Sequence, residues 1–275
     1  MTRALRALPS LLALLAGCAT SVRRDADPAT DAGATPTPGL GGSGGGVTSP
    51  QEVYGHSENA LYRVDVVTKA VTRVGLFSGC TYVADIAIDA DGNLYASTGT
   101  ELHVIETNTA RCSRVASGKF PNSLSFVAAG VLDAVEVLVG YQGGDYVRID
   151  PASGKVTKVG ELGGGFESSG DLVSATGGVT YLTVKGPGCA DCLVEIDPKT
   201  GVLRNNLGPL GKSDVFGVGF WAGVVYGFTH AGEIFEVDIS VAPLTTRAIA
   251  IPNRPPDLKF WGAGSTTTAP ISPVK

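Results

Sequence analysis

A hairpin-like segment that recurs five times limits what this chain can fold into. Residues 145–160 read DYVRIDPASGKVTKVG, two alternating apolar arms around a turn rich in Pro, Ser and Gly. Period-two alternation on both sides of such turn residues is the signature of a β-hairpin. Related segments begin at Leu61 (LYRVDVVTKAVTRVG), Leu102 (LHVIETNTARCSRVA), Leu193 (LVEIDPKTGVLRNNL) and Ile234 (IFEVDISVAPLTTRA). Aligned on the residue before the acid, the anchors are Val64, Ile105, Ile149, Ile196 and Val237, spaced 41, 44, 47 and 41 residues apart. Copies at that period imply a repeat architecture.

A second pattern lies between the hairpins. It begins at Asp85 (DIAIDADGNLYAST), Ser123 (SLSFVAAGVLDAVEVLVGY), Asp171 (DLVSATGGVTYLTV) and Asp214 (DVFGVGFWAGVVYGF). Each is two short apolar strands around a Gly-containing turn. One repeat is therefore four strands, here called a to d, with a and b from the second pattern and c and d from the hairpin. No stretch has the 3.6-residue spacing of a helix, and 38 glycines are scattered through the turns. Four-stranded units of this length describe the blades of an all-β propeller.

The strand count also predicts how the ring closes. The first repeat starts at strand b, and the C-terminal end supplies a lone strand a, DLKFWGAGST from Asp257. The last strand is thus expected to complete the first blade, giving five blades and no exposed sheet edge at the joint. A six- or seven-bladed ring with degenerate blades would need more residues. The repeat, in outline LYRID-P-x-T-G-x-V-T-x-V-G, resembles bacterial extracytoplasmic propellers of the YVTN/NHL/quinoprotein-like kind, over Gln51 to about Thr268. That resemblance implies the fold. It does not imply an activity, because propellers host binders, scaffolds and enzymes alike.

The N-terminus reads as an address. Arg3 and Arg6 precede a short apolar run, Leu8–Ala16, which is too short to span a bilayer and whose end overlaps Leu15-Ala16-Gly17-Cys18. The last four residues resemble a bacterial lipobox. The resemblance implies a signal peptide over residues 1–17, cleavage before Cys18 and acylation of Cys18 with palmitate and related chains. An ordinary signal peptide with an incidental cysteine is the alternative. Ala19 stands where an inner-membrane retention signal would usually have Asp, which by family analogy favours the outer membrane of the cell envelope, on its periplasmic face or at the cell surface. Residues 18–50, with TPTPGLGGSGGG at their centre, cannot bury enough apolar surface to fold and are expected to be a tether. Residues 51–275 then form one all-β domain.

Charge and cysteines narrow the partners. The chain carries a net charge of −5, and loss of Arg3 and Arg6 with the leader makes the remainder more acidic. No basic cluster exists beyond Arg23-Arg24, so nucleic acid is not an expected partner. Apart from Cys18 there are four cysteines, an even number suited to disulfides in an exported chain. Cys189 and Cys192 sit at a hairpin tip, where a local disulfide is favoured over the helix-borne redox CxxC. Cys80 and Cys112 pair by elimination only, since opposite ends of a propeller blade would lie beyond the ~7 Å Cα limit for a disulfide.

Candidate chemistry is sparse. The histidines are His56, His103 and His230, and no GxSxG, HExxH or P-loop accompanies them. His103 falls inside a strand c and His230 at a turn, both places for a structural residue. Asp89-Ala90-Asp91-Gly92-Asn93 resembles the start of a calcium loop, but Thr100 stands where that loop needs Glu, and an Asp-Gly turn accounts for the same residues. The acids Asp65, Asp150, Asp197 and Asp238 open c–d turns and are read as bonding the turn's own N–H groups.

Asp85, Asp171, Asp214 and Asp257 stand near the start of strand a and therefore near one mouth of the channel. Four carboxylates converging there could hold Ca²⁺. Alternatively each could bond backbone N–H groups of its own or the next blade, and this is the preferred expectation. Two functions remain in view: a membrane-tethered binding or scaffold module for a protein or glycan, and a metal-dependent, lactonase-like hydrolase using the central channel. The scarcity of histidine favours the first.

Overall fold

The computed structural model describes residues 53–272. Residues 1–17, read above as a signal peptide, and Cys18 with the expected tether over residues 18–50 lie outside the described residues. Twenty strands form five four-stranded antiparallel sheets, and no helix occurs among the described residues. The fold is a five-bladed β-propeller.

In blade 1, β1 (Val53–His56), β2 (Ala60–Val64) and β3 (Val71–Leu76) are strands b, c and d. Blade 2 comprises β4 (Asp85–Ile88), β5 (Leu94–Ser97), β6 (Glu101–Ile105) and β7 (Cys112–Ser117). Blade 3 comprises β8 (Ser123–Val127), β9 (Val137–Gln142), β10 (Asp145–Ile149) and β11 (Val156–Glu161). Blade 4 comprises β12 (Glu167–Ser174), β13 (Thr180–Gly186), β14 (Cys189–Ile196) and β15 (Leu203–Pro209). Blade 5 comprises β16 (Val215–Trp221), β17 (Val224–Thr229), β18 (Ile234–Asp238) and β19 (Thr245–Ile249). The last strand, β20 (Gly262–Ser265), pairs with β1 from Val53↔Ser265 to His56↔Gly262 and supplies strand a of blade 1. The expected closure is the observed one.

Strands β20, β4, β8, β12 and β16 contact one another in turn around the axis. Covered on both faces by neighbouring blades, β1, β4, β8 and β20 are buried at every residue. Outer strands such as β3 and β7 are buried only at their first residue. The apolar core accordingly lies between the blades. Tyr54, Leu61, Ile86 and Leu94 fill the space between blades 1 and 2, and Val139, Tyr141, Leu182 and Val194 the space between blades 3 and 4.

The repeated turn docks each blade onto the one before it. Asp65, Asp150, Asp197 and Asp238 each accept an N–H two residues on, at 2.8–2.9 Å. The fifth residue of the turn lies at positive φ, at Gly154 (70°) and Gly201 (72°), and even at Lys69 (62°) and Ala110 (59°). These turns pack on the outer strand of the preceding blade. A Cβ at Gly160 would stand 2.0 Å from the carbonyl oxygen of Thr200, and one at Gly75 would stand 3.0 Å from that of Thr109. The glycine ending V-T-x-V-G is thus a docking surface for the next turn. The exposed outer edges carry charge, with Arg114 on Glu101 (2.9 Å), Lys158 on Asp145 (2.8 Å) and Arg247 on Glu236. Charged side chains on an edge oppose strand-to-strand aggregation.

Both disulfides are formed. Cys189 and Cys192 bridge at the b–c hairpin tip of blade 4, with a Cα separation of 5.8 Å. Cys80 and Cys112 bridge at 5.6 Å. The connection leaving β3 folds back on blade 2, where Cys112 N–H donates to Ser78 O at 2.7 Å, and this removes the expected distance obstacle.

Deleting residues 257–275 removes β20 and exposes the inner edge of β1. The truncated chain is expected to aggregate and to lose its cooperative thermal transition, as followed by circular dichroism and size-exclusion chromatography. A soluble truncation with one sharp transition would contradict the closure described above.

Candidate functional site

Each inner strand pairs on its outer side and turns its other edge to the axis. Buried N–H groups on that edge need acceptors. At the mouth bearing the b–c turns and d–a connections, the upper mouth, the amides concerned are those of Ile86, Leu124, Leu172, Val218 and Ala263, one from each blade. All five are directed to two carboxyl groups. Asp85 Oδ2 accepts Leu124 N–H at 2.6 Å, and the same carboxyl takes the Ile86 amide. Asp171 Oδ1 accepts Leu172 N–H at 2.6 Å, while its Oδ2 accepts Val218 N–H at 2.8 Å and Ala263 N–H at 3.2 Å. One turn deeper, Ser125 Oγ accepts Ser174 N–H at 3.1 Å and Ser265 Oγ accepts Phe220 N–H at 3.0 Å.

The structure brings Asp85 and Asp171 together, both wholly buried, and leaves Asp214 and Asp257 on the surface. Asp214 N–H donates to Asp191 Oδ2 at 3.0 Å, and the Asp257 carboxylate faces Arg73 at 3.9 Å with 68 % of its side chain exposed. The amide pattern shows why. The positions equivalent to Asp85 and Asp171 are Ser123, Gly217 and Gly262, because blades 5 and 1 enter the ring several residues after their acids. A four-acid site therefore does not assemble, and among the described residues no group of three or more His, Cys, Asp or Glu side chains is arranged to hold a metal ion. The Asp171 oxygens and Asp85 Oδ2 are engaged with backbone amides, so these residues do not fit a Ca²⁺ site. The Asp89 segment is likewise a closed turn, with Asp89 Oδ1 accepting Asp91 and Asn93 N–H at 3.0 and 2.8 Å.

The glycines at the two equivalent positions make room. A Cβ at Gly262 would lie 2.3 Å from Asp85 Oδ1 and 2.4 Å from His56 Nε2. His56 ends β1 directly across from Gly262 and is wholly buried. No role for His56 was legible in the sequence; the available clue, a polar residue paired across from a glycine, exists only once the register is known. Its Nδ1 lies 3.0 Å from Ser57 O, an acceptor that requires the proton on Nδ1. Nε2 is then a lone-pair acceptor facing Asp85 Oδ1 at 3.8 Å, and neither atom has a hydrogen-bond partner.

Burial pushes the Asp85 carboxyl well above the usual range, and the neighbouring Asp171 charge pushes it further. Burial also raises Asp171, to about 8, against the hydrogen bond from Asp85 and the backbone amides that favour its ionised form. With three backbone donors against two, Asp171 is the better carboxylate and Asp85 the proton carrier. Burial lowers His56 to about 4, so it is neutral. The other two histidines stay apart from this cluster. His103 contacts Glu101 Oε2 at 3.1 Å, and His230 packs between the rings of Phe216 (5.7 Å) and Trp261 (6.2 Å) on the upper face.

The lower mouth is covered by residues 266–270. Thr176 Oγ1 donates to Thr267 O at 2.7 Å, Gly223 N–H to Pro270 O at 3.2 Å, and Thr267 Oγ1 bonds the Glu136 carboxylate. Thr266, Thr267 and Ala269 are buried there. Among the described residues, the axis is thus lined by polar side chains above and crossed by residues 266–270 below.

This geometry defines a closed five-bladed β-propeller whose axial carboxyl groups accept the inner-strand amides. No protein-family model matches the chain, and no curated protein matches it. Among solved structures it is similar to one described as the crystal structure of a nidogen/laminin complex, at 12 % identity, over 78 % of this chain and 81 % of that chain, with a TM-score of 0.48.

Two predictions follow from the axial cluster. Because the folded-state pKa values of Asp85 and Asp171 lie above the unfolded value, the folded chain binds more protons, and stability is lost as pH rises above about 4, a loss that for Asp171 extends to about 8. His56, lowered, opposes this only between about 4 and 6.5. The melting temperature should therefore fall above pH 6.5, by ~3 °C per pH unit for each group that titrates. Asp85→Asn, which keeps an acceptor for Leu124 and a donor toward Asp171, should flatten the fall; an unchanged slope would show that the pair does not hold the proton. Gly262→Ala drives a methyl group into Asp85 and His56 and should cost ~1–3 kcal/mol in denaturant unfolding.

Proposed function

We propose that this chain is an envelope lipoprotein, anchored through Cys18, whose propeller binds a protein or glycan on a loop-bearing face. The observation that carries the binding reading is the closed axis. Five inward amides are consumed by Asp85 and Asp171, and the opposite mouth is covered by residues 266–270. The groups free to recognise a partner are then those of the loops around the mouths. What supports the anchor and the envelope address is the sequence Leu15-Ala16-Gly17-Cys18 after a short apolar run, together with two disulfides in the propeller, bonds that persist in oxidising compartments.

Two experiments test this. Cys18→Ala should abolish palmitate labelling and release the protein from the membrane fraction; unchanged fractionation would refute the anchor. The purified protein should hydrolyse no member of a lactone and ester panel, with or without added divalent metals. Metal-dependent turnover that scales with bound metal would replace the binding reading with the hydrolase.

A further inference from the structure

Resting on the binding reading, we propose that the upper face binds basic side chains of a partner polypeptide, in a groove on blade 1 and its counterpart on blade 3. The blade 1 groove has a volume of about 270 Å³ and lies between the b–c turn and the connection to blade 2. Glu58 and Asn59 line one side, and Phe77, Thr81 and Tyr82 the other. No cationic side chain lines it. Glu58 is partly buried yet has no ion pair or hydrogen bond among the described residues, whereas Glu101, Glu106, Glu195, Glu233 and Glu236 all face a basic side chain. A carboxylate beside two aromatic rings is the environment that holds an ammonium or guanidinium group, by charge and by the ring faces together.

The groove is built rigidly. Tyr82 is 68 % exposed, and its backbone lies at φ +56°, a conformation that bulky residues avoid. The Cys80–Cys112 disulfide fixes the connection two residues earlier. An aromatic ring held out to solvent on a strained, disulfide-pinned backbone is not accounted for by core packing. At the same junction of blade 3, a groove of about 340 Å³ is lined by Phe166, Glu167, Asp145 and Glu161. Lys158 neutralises part of that charge through Asp145 and Glu161, and Glu167 is exposed and has no ion pair among the described residues. Two grooves of like chemistry on one face suit a partner with more than one basic side chain.

The test uses the full-length protein in detergent micelles, with the ring carbons of tyrosine labelled for NMR. The probes are the capped peptides Ac-Gly-Arg-Gly-NH2 and Ac-Gly-Glu-Gly-NH2 and the neutral sugar N,N′-diacetylchitobiose. Tyr82→Gly, which suits the positive φ and should not unfold the loop, assigns the Tyr82 signals and removes the ring. The arginine peptide is expected to shift those signals saturably, and Glu58→Gln should weaken its binding about 3-fold or more. Tyr82→Gly should weaken binding of the arginine peptide to a similar degree, read by isothermal titration calorimetry. No saturable shift, or equal shifts with the glutamate peptide, would overturn the proposal. A shift by the sugar alone would overturn it while leaving the binding reading in place, and metal-dependent ester turnover would remove both.

Discussion

Five backbone amides pointing at one axis are the constraint on which this ring depends. A buried amide without an acceptor costs about 1–3 kcal/mol, so five of them would oppose closure of the ring strongly. Two short acidic side chains meet the demand. Asp171 takes amides from its own blade and from blades 5 and 1, and Asp85 from its own blade and blade 3, so the two carboxyls tie all five inner strands together at the axis. Two carboxylates side by side in a dry interior would repel, and the shared proton removes one of the charges. Neutral His56 completes the shell without adding a charge.

From the axis outward the chemistry changes with the space available. Inner strands are crowded, and Gly217 and Gly262 stand where a side chain would collide with Ala263 or with Asp85 and His56. Middle strands carry the large apolar residues that fill the gaps between sheets. Outer strands protrude into water and carry the arginines and lysines that shield their edges. The glycine at the end of the repeat belongs to a further contact, the turn of the next blade. One repeat therefore encodes both a blade and the surface on which its successor rests.

On the proposed binding reading, stability and recognition are carried by different parts of the ring. The axis is lined by polar groups most of which are bonded to the inner-strand backbone. The loops that run over the upper face differ from blade to blade in length and composition, and two of them hold aromatic and acidic side chains that the fold itself does not use. Loops on a rigid scaffold are the usual location of binding residues. The Cys80–Cys112 bridge stiffens one such loop at the point where Tyr82 is presented to solvent.

Much of this architecture was legible in the chain before its folding was known. The five hairpins, the four-stranded unit and the completion of blade 1 by residues near the C-terminus all follow from period-two alternation and a count of strands. The turn acids were legible because an Asp two residues before an N–H acts locally. The axial site was not. Asp214 and Asp257 look equivalent to Asp85 and Asp171 in sequence, but three and five residues of connection separate them from the true positions, Gly217 and Gly262. His56 has no local signal at all, since its neighbours Asp85 and Gly262 come from other strands. Local pattern, in short, is set by hydrogen bonds and side-chain alternation within a few residues, and the sequence by itself determined the blades and their number. Which carboxyl groups meet, which cysteines bridge across a blade junction and which glycines make room depend on register and on the curvature of a closed ring, and only the tertiary structure decided them, because those contacts join residues tens to hundreds of positions apart.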